Sequence, residues 1–135
     1  MSERIFIDSD VILDVALARQ PFVEASQTVV ALCEKGHFTG CISSNSVANI
    51  YYILHKLGGD EKARLFIQQL LKFVVIIHVD HFGFFKVLVS KFSDFEDAIQ
   101  YFSALSFGCS KIVTRNIQDY KFAEISVVLP SAFIG

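Results

Sequence analysis

The chain of 135 residues has no apolar run approaching the ~18 residues of a membrane-spanning helix. Its longest, Phe73 to Val79, carries His78 and is strand-sized. Its three cysteines, Cys33, Cys41 and Cys109, form no C-x-x-C pair, and the odd count argues against a disulfide framework. They read as small buried apolar residues. Neither sign of charge dominates: 12 basic against 14 acidic residues leave a net charge of −2. Such a balance excludes a broad electrostatic footprint for long nucleic acid and leaves room only for a local basic rim. The opening Met-Ser-Glu-Arg lacks the basic and apolar sections of a signal peptide, so the expected location is the cytoplasm. There is no internal repeat, linker or low-complexity segment, and the length suits one domain over residues 1–135. What is plentiful is apolar surface: 53% of residues, with a mean hydropathy of +0.47. The surplus implies a sheet covered on both faces, together with an exposed face for a partner.

Arg4 to Asp14 organises the rest. Ile5 to Ile7 reads as a buried strand, and Asp8 and Asp10 arrive where it ends. Val11, Ile12, Val15 and Ala16 then recur at helical spacing, with Ser9 or Asp10 placed to cap the new helix. Asp8 therefore sits at a strand's carboxyl end, facing a helix N-terminus. In an open α/β sheet that edge is where ligands bind. The plainer reading makes Asp10 a cap, Asp8 a turn residue and Asp14 an exposed helical residue.

The remaining elements alternate. A helix over Val23 to Lys35 stops at Gly36, and a strand over Phe38 to Ile42, interrupted by Gly40, ends in the capping run Ser43-Ser44-Asn45. The next helix carries Val47, Ile50, Tyr51 and Leu54. Asp60 is expected to cap a fourth helix striped with Ala63, Phe66, Ile67, Leu70 and Leu71. Phe73 to Val79, continuous and β-branched, is expected inside the sheet, with a poorly determined helix over Phe82 to Lys91 after it. Ser93-Asp-Phe-Glu96 reads as a capping box opening the helix of Asp97, Ala98, Tyr101, Phe102 and Leu105. Lys111 to Thr114 and Ile125 to Leu129 complete the strands, and a Ser-Ala-Phe-Ile tail follows Pro130. Such alternation with short connections predicts an α/β fold, a central parallel sheet of about five strands with helices on both faces. Asp8, Ser43 to Asn45 and Thr114 to Asn116 then share one sheet edge.

Oxygen ligands converging without His or Cys describe a hard-cation site for Mg²⁺ or Mn²⁺ rather than zinc. Such an ion lowers the pKa of a bound water and orients it for in-line attack on phosphorus. Phosphodiester hydrolysis is the natural chemistry. His78-Val-Asp80-His81 invites a metal reading too, but alternation along a strand separates those side chains. The phenylalanines fall on helical stripes and read as core or interface. Arg115, Lys111 and Lys121 are candidates for a basic rim against substrate phosphates.

Phe6-Ile-Asp8-Ser-Asp-Val-Ile, Ile42-Ser-Ser-Asn-Ser-Val-Ala-Asn49-Ile-Tyr-Tyr, Asp94-Phe-Glu-Asp97-Ala-Ile-Gln and Ile112-Val-Thr-Arg-Asn116-Ile-Gln-Asp119-Tyr resemble, in order, the four motif regions of the PIN-domain family. Leu129-Pro-Ser-Ala-Phe resembles its usual ending, so the likeness spans nearly the whole chain. The resemblance implies a three-layer α/β/α fold, a Mg²⁺- or Mn²⁺-dependent ribonuclease, and the toxin half of a bacterial toxin–antitoxin pair, with a protein antitoxin as partner and a homodimer as the expected assembly. By position, Asp8 matches the family's first acid and Asp97 the acid after the long central segment; Ser9 and Thr114 match the small hydroxyl residues that flank the site. Two departures stand out: Asn49 where most members carry a glutamate on the third helix, and Asn116 where many carry a fourth aspartate. Asp119, Asp94 or Asp10 is placed to supply the lost charge. One tightly held ion is expected, with a second site weak or filled only with substrate. The candidate set is therefore Asp8, Asp97, Asp119, Asn116 and Asn49, with Asp94 as a further metal ligand and Ser9, Thr114 and Arg115 toward substrate.

Two other classes compete. The acid-to-amide changes at Asn49 and Asn116 allow a PIN-like binding or scaffold module without catalysis. Asp8-Ser-Asp10 also resembles the Asp-x-Asp of haloacid-dehalogenase-type phosphatases. Against that, Ile12 stands where a small or hydroxyl residue is needed, no suitable lysine follows a third strand, and the Thr114 to Tyr120 cluster goes unexplained.

Overall fold

Alternation along the first strand decides the layering. In the computed structural model, which describes residues 2–133, β1 (Glu3–Ile7) turns Ile5 and Ile7 to one face of the sheet and Phe6 to the other, all fully buried. Ile134 of the expected tail lies outside the described residues. The chain continues through α1 (Ser9–Ala16), α2 (Val23–Glu34), β2 (Phe38–Ser43), α3 (Ser44–Gly58), α4 (Asp60–Leu70), β3 (Val74–Ile77), α5 (Gly83–Val89), α6 (Phe95–Ser106), β4 (Lys111–Val113) and β5 (Ser126–Val128), with single 3-10 turns at Ile117–Tyr120 and Pro130–Ala132. All strands pair in parallel, in the order β3-β2-β1-β4-β5. Among the described residues no helix is long and apolar enough to cross a membrane.

Each face of the sheet has its own core. Ile5, Ile7, Ile42, Val74 and Val113 pack with Val11, Ile12, Val29, Ile50 and Leu70 from α1 to α4. On the other face Phe6, Cys41 and Ile112 pack with Tyr101 and Ala104 of α6 and with Tyr120. All three cysteines are free and buried. Gly40 does not weaken β2 without reason: a Cβ there would stand 3.0 Å from Cys33 Sγ and 3.2 Å from Ile7 Cδ1. Glycine at this position lets α2 lie close on the sheet.

Several local expectations are corrected. Phe73 to Val79 does not run inside the sheet; only Val74–Ile77 pairs, on β2 alone, and Val75 and Ile76 are about 40% exposed on the sheet edge. Edge position, rather than polarity, is what a continuous apolar run conceals. The exposed apolar residues continue onto α5 as Phe82, Phe85, Leu88 and Val89. Gly59, not Asp60, is the N-cap of α4; Asp60 reaches Arg64 and the Tyr51 hydroxyl instead. The cap of α6 is Asp94 rather than Ser93.

Asp14 is not a surface residue. It is completely buried, accepts a hydrogen bond from Ser26 Oγ at 3.1 Å, and takes both Nε (2.8 Å) and Nη2 (3.2 Å) of Arg115. A charged residue on a helix reads as exposed in sequence, but the α1–α2 packing and the loop after β4 close over this one. The Arg115 guanidinium also lies 3.9 Å from the centre of the Phe22 ring. Replacing Asp14 with alanine leaves that guanidinium half-buried without its partner, at a cost on the order of 3 kcal/mol. Urea denaturation of Asp14→Ala should show it, whereas a loss below ~1 kcal/mol would mean that the pair behaves like a surface salt bridge.

Candidate active site

The strand order reverses between β1 and β4, since the chain runs outward to β2 and β3 on one side and to β5 on the other. That reversal opens a crevice at the strands' carboxyl ends, and Asp8 and Thr114 stand on its two sides. Asp8 has extended backbone (φ −63°, ψ 147°) and serves as the N-cap position of α1, but its side chain makes no capping bond. Its carboxylate receives instead the Thr114 hydroxyl at 2.8 Å, and its backbone N–H donates to Val113 C=O at 3.0 Å. The helix thus begins one residue earlier than a Ser9 cap, and two earlier than an Asp10 cap, would have it.

Period-two alternation selects what faces the crevice. Asp8 lies two residues beyond Phe6, Thr114 two beyond Ile112 and Ser43 two beyond Cys41, all toward the α6 side of the sheet. On α6, Asp97 lies one turn before Gln100 and Tyr101, on the face turned to the same side. Gln100, almost fully buried, donates from Nε2 to Asp97 Oδ1 at 3.4 Å and accepts from Ser46 Oγ at 3.3 Å; Ser46 Oγ in turn lies 2.8 Å from Ser43 Oγ. A hydrogen-bonded chain therefore runs from the end of β2 to the carboxylate of Asp97. Ser43 and Asp97, the two ends of this chain, were singled out in the sequence, but Ser46 and Gln100 were not; the signal for Gln100 was its place three residues after Asp97.

The expected residues gather around this pair in different degrees. Asn49 Nδ2 donates to Ser9 Oγ at 3.5 Å, linking α3 to α1. Asn116 donates from Nδ2 to Asp10 Oδ2 at 2.9 Å, and its backbone N–H donates to Thr114 Oγ1 at 3.0 Å. Asp94 accepts the Asp97 backbone N–H at 3.0 Å as the cap of α6. Asp119 is exposed on the 3-10 turn after β4. Glu96, read in the sequence as half of a capping box, belongs to this acidic group instead; burial, then Asp94 and Asp10, push its carboxyl up.

The expected basic rim is not assembled. Arg115 is held by Asp14, and Lys111 opens β4 at the opposite end of the sheet, where it pairs with Glu3. Lys121 lies against Phe122, its ammonium 5.2 Å from the ring centre. A lysine or arginine in sequence reports charge but not which carboxylate the fold will bring to it.

Electrostatics set the site apart. Burial pushes the Asp8 carboxyl up to about 6; the Thr114 hydrogen bond opposes this and Asp10 adds to it. Asp97 is pushed up to about 7 by burial first, then by Asp94, Asp8, Asp119 and Glu96. Every charge acting on these two groups is negative. Among the described residues no three His, Cys, Asp or Glu side chains are already closed around a common point. Mg²⁺ asks for no such cage, since one or two protein carboxylates and several waters satisfy it. A donor set of oxygens alone, short of positive charge, fits a hard divalent cation held by Asp8 and Asp97, with Asp119 and Asp94 at its margin.

A family model described as a PIN domain matches residues 4–118. The chain belongs to the PIN-domain family. A curated relative, ribonuclease VapC1 of Aquifex aeolicus, is 28% identical over 142 residues, an alignment covering 98% of this chain and 94% of that protein. Among solved structures, a toxin–antitoxin complex from Klebsiella pneumoniae is similar with a TM-score of 0.71 at 18% identity, covering 93% of this chain and 97% of that one. The sarcin-ricin-loop-cleaving toxin VapC20 of Mycobacterium tuberculosis gives 0.67 at 16% identity, over 90% of this chain and 98% of that one. These structural likenesses establish the three-layer α/β/α fold. The membership leaves the dehalogenase-type reading of Asp8-Ser9-Asp10 without support.

The raised carboxyls make stability depend on pH in a defined direction. Asp8 and Asp97 hold their protons up to about 6 and about 7 when folded and release them near 4 when unfolded. Between those limits the native state binds more protons, so stability is greatest near pH 4 and falls as pH rises through the folded values. Thermal melts without divalent cation should show a melting temperature that declines by several degrees from about pH 5 to about pH 8. The decline should be much reduced in Asp8→Asn/Asp97→Asn, with Glu96 leaving a remainder, and a flat wild-type profile would contradict the assignment.

Proposed function

We propose that this chain is a metal-dependent ribonuclease, the toxin of a toxin–antitoxin pair, that hydrolyses RNA phosphodiester bonds with Mg²⁺ or Mn²⁺ at Asp8 and Asp97. The observation that carries the reading is the acidic crevice at the β1/β4 reversal, where the Asp8 and Asp97 carboxyls are raised by burial first and then by neighbouring carboxylates, Asp10 acting on Asp8 and Asp94 on Asp97. A divalent ion bound there supplies a lowered water pKa and compensates charge on the phosphate. The chain's own residues do the positioning. Thr114 orients Asp8, the Ser43-Ser46-Gln100 chain orients Asp97, and Ser9 with Asn49 fixes the start of α1. Asn116 holds Asp10, while Asp119 stands open at the rim to reach solvent or substrate. Asn49 and Asn116 bring hydrogen bonds without charge, which favours one firmly held ion and a second that enters with the RNA.

Expected partners are RNA, a protein antitoxin and a second copy of the chain. The relatives support the antitoxin, and the apolar edge of β3 with the exposed face of α5 supports protein association. Arg115 is omitted from the RNA contacts on account of its Asp14 clamp.

Cleavage of a mixed RNA pool with Mn²⁺, Mg²⁺ or EDTA tests this directly. Wild type should cut only with a divalent ion, and Asp8→Asn should lose more than the ~100-fold that removal of an outer partner costs. Cutting in EDTA, or an undiminished Asp8→Asn, contradicts the site. A folded wild type that binds Mn²⁺ and cuts nothing favours the alternative, a PIN-like binding module made inert by its two amides. On the nuclease reading, Asn49→Glu should tighten Mn²⁺ binding by about tenfold, the scale of a ligand-shell change, as titration calorimetry would report.

A further inference from the structure

Tyr120 lies beneath this site and has no role in what is described above. It ends the 3-10 turn that carries Asp119, and its side chain is 2% exposed. Its ring packs with Phe6, Ile112 and Tyr101, with the Phe92 ring centre 6.2 Å away. Its hydroxyl is sealed from solvent and has no hydrogen-bond partner among the described residues. A buried phenol normally finds a partner, because leaving one unpaired costs about 1–3 kcal/mol. Tyr101, on the same face, shows the ordinary case: its hydroxyl accepts the Glu124 backbone N–H at 3.0 Å.

Strand alternation says where this hydroxyl is. Phe6 and Asp8 project to one side of β1, and Ile112 and Thr114 to the same side of β4. A ring in the same core cluster as Phe6 and Ile112 is therefore on the face of the sheet to which Asp8 and Thr114 project. Burial first, and then the charges of Asp8, Asp97, Asp119 and Glu96, hold its hydroxyl in the protonated form. It is an O–H donor with nothing to donate to, set under acceptors that lie beyond direct bonding distance. A gap of that kind between polar groups is what a bridging water fills.

The geometry points to Tyr120 as a positioning residue of the cation site, donating its O–H from below, through one water, to the Asp8–Asp97 carboxylate pair. The donation holds the carboxylates in the arrangement that receives a divalent ion. The inference rests on the metal-site reading above. It differs from a core role in what the hydroxyl does: a phenylalanine would fill the same space and avoid the unpaired group.

Tyr120→Phe separates the two. The full-length chain and the variant are titrated with Mn²⁺ by calorimetry at one pH, and melted with and without the ion. The expected result is a variant that folds with a metal-free melting temperature within a few degrees of that of wild type, since phenylalanine fills the same space. Its Mn²⁺ affinity should fall by about tenfold, the scale of losing an outer-shell partner. An unchanged Mn²⁺ affinity, whatever the melting temperature does, overturns the inference and leaves the metal site standing. A wild type that binds no Mn²⁺ removes the metal reading and the role of Tyr120 with it. Tyr120→Leu, which loses ring and hydroxyl together, should lower the metal-free melting temperature as well, marking the packing contribution apart from that of the hydroxyl.

Discussion

Two carboxylates in a partly buried crevice, with only negative charges acting on them among the described residues, are the constraint on which this molecule's design turns. Their mutual repulsion and loss of hydration are unfavourable to folding once they ionise, and the rest of the structure has to hold them there regardless. It does so by separating duties between the two faces of the sheet. One face carries the larger core, built with α1 to α4, and supplies cohesion. The other carries a smaller core with α6, whose upper rim is the acidic crevice. The reversal of strand order at β1/β4 makes room for the site without breaking a strand, and hydroxyl and amide side chains fix the carboxylates without neutralising them. A site so prepared has more to gain from a divalent cation than a solvated pair of aspartates would.

The first helix shows how finely the acids are divided. Asp8 takes the Thr114 hydroxyl and Asp10 the Asn116 amide, while Asp14, one turn beyond Asp10 on the same side of α1, is fully buried and paired with Arg115, between Thr114 and Asn116. That clamp ties α1 to the loop after β4, the loop that also carries Thr114, Asn116 and Asp119. One ion pair therefore secures the backbone from which both sides of the site project. An arginine that sequence assigns to substrate contributes to function by holding the loop.

Much of this was legible in the sequence. The strand–helix alternation predicts the parallel sheet, and the short polar runs after Ile7, Ile42 and Val113 predict one functional edge, because parallel strands present all their carboxyl ends together. Asp8 and Thr114 are found where those rules place them, whereas Asp97 is pointed to by the family resemblance. What sequence did not show depends on tertiary direction. Asp14 and Arg115 find each other across 101 positions, Gln100 reads as an ordinary helical glutamine, and β3 has an interior composition at an edge position. Tyr120 reads as one more aromatic until its hydroxyl is seen to lack a partner. Caps moved by one residue at α1, α4 and α6 because neighbouring side chains compete for the same role and the winner is decided by packing.

The central claim is that Asp8 and Asp97 retain protons that a divalent cation must displace. Calorimetric titration of Mn²⁺ in buffers of different ionisation enthalpy counts those protons. With folded values of about 6 and about 7, binding near pH 6.5 should release about one proton per ion, and the release should fall toward zero above about pH 8.5. Tight binding near pH 6.5 without proton release would contradict the account, because it would mean that the carboxylates are already ionised and that the crevice is not the electrostatically poised site described above.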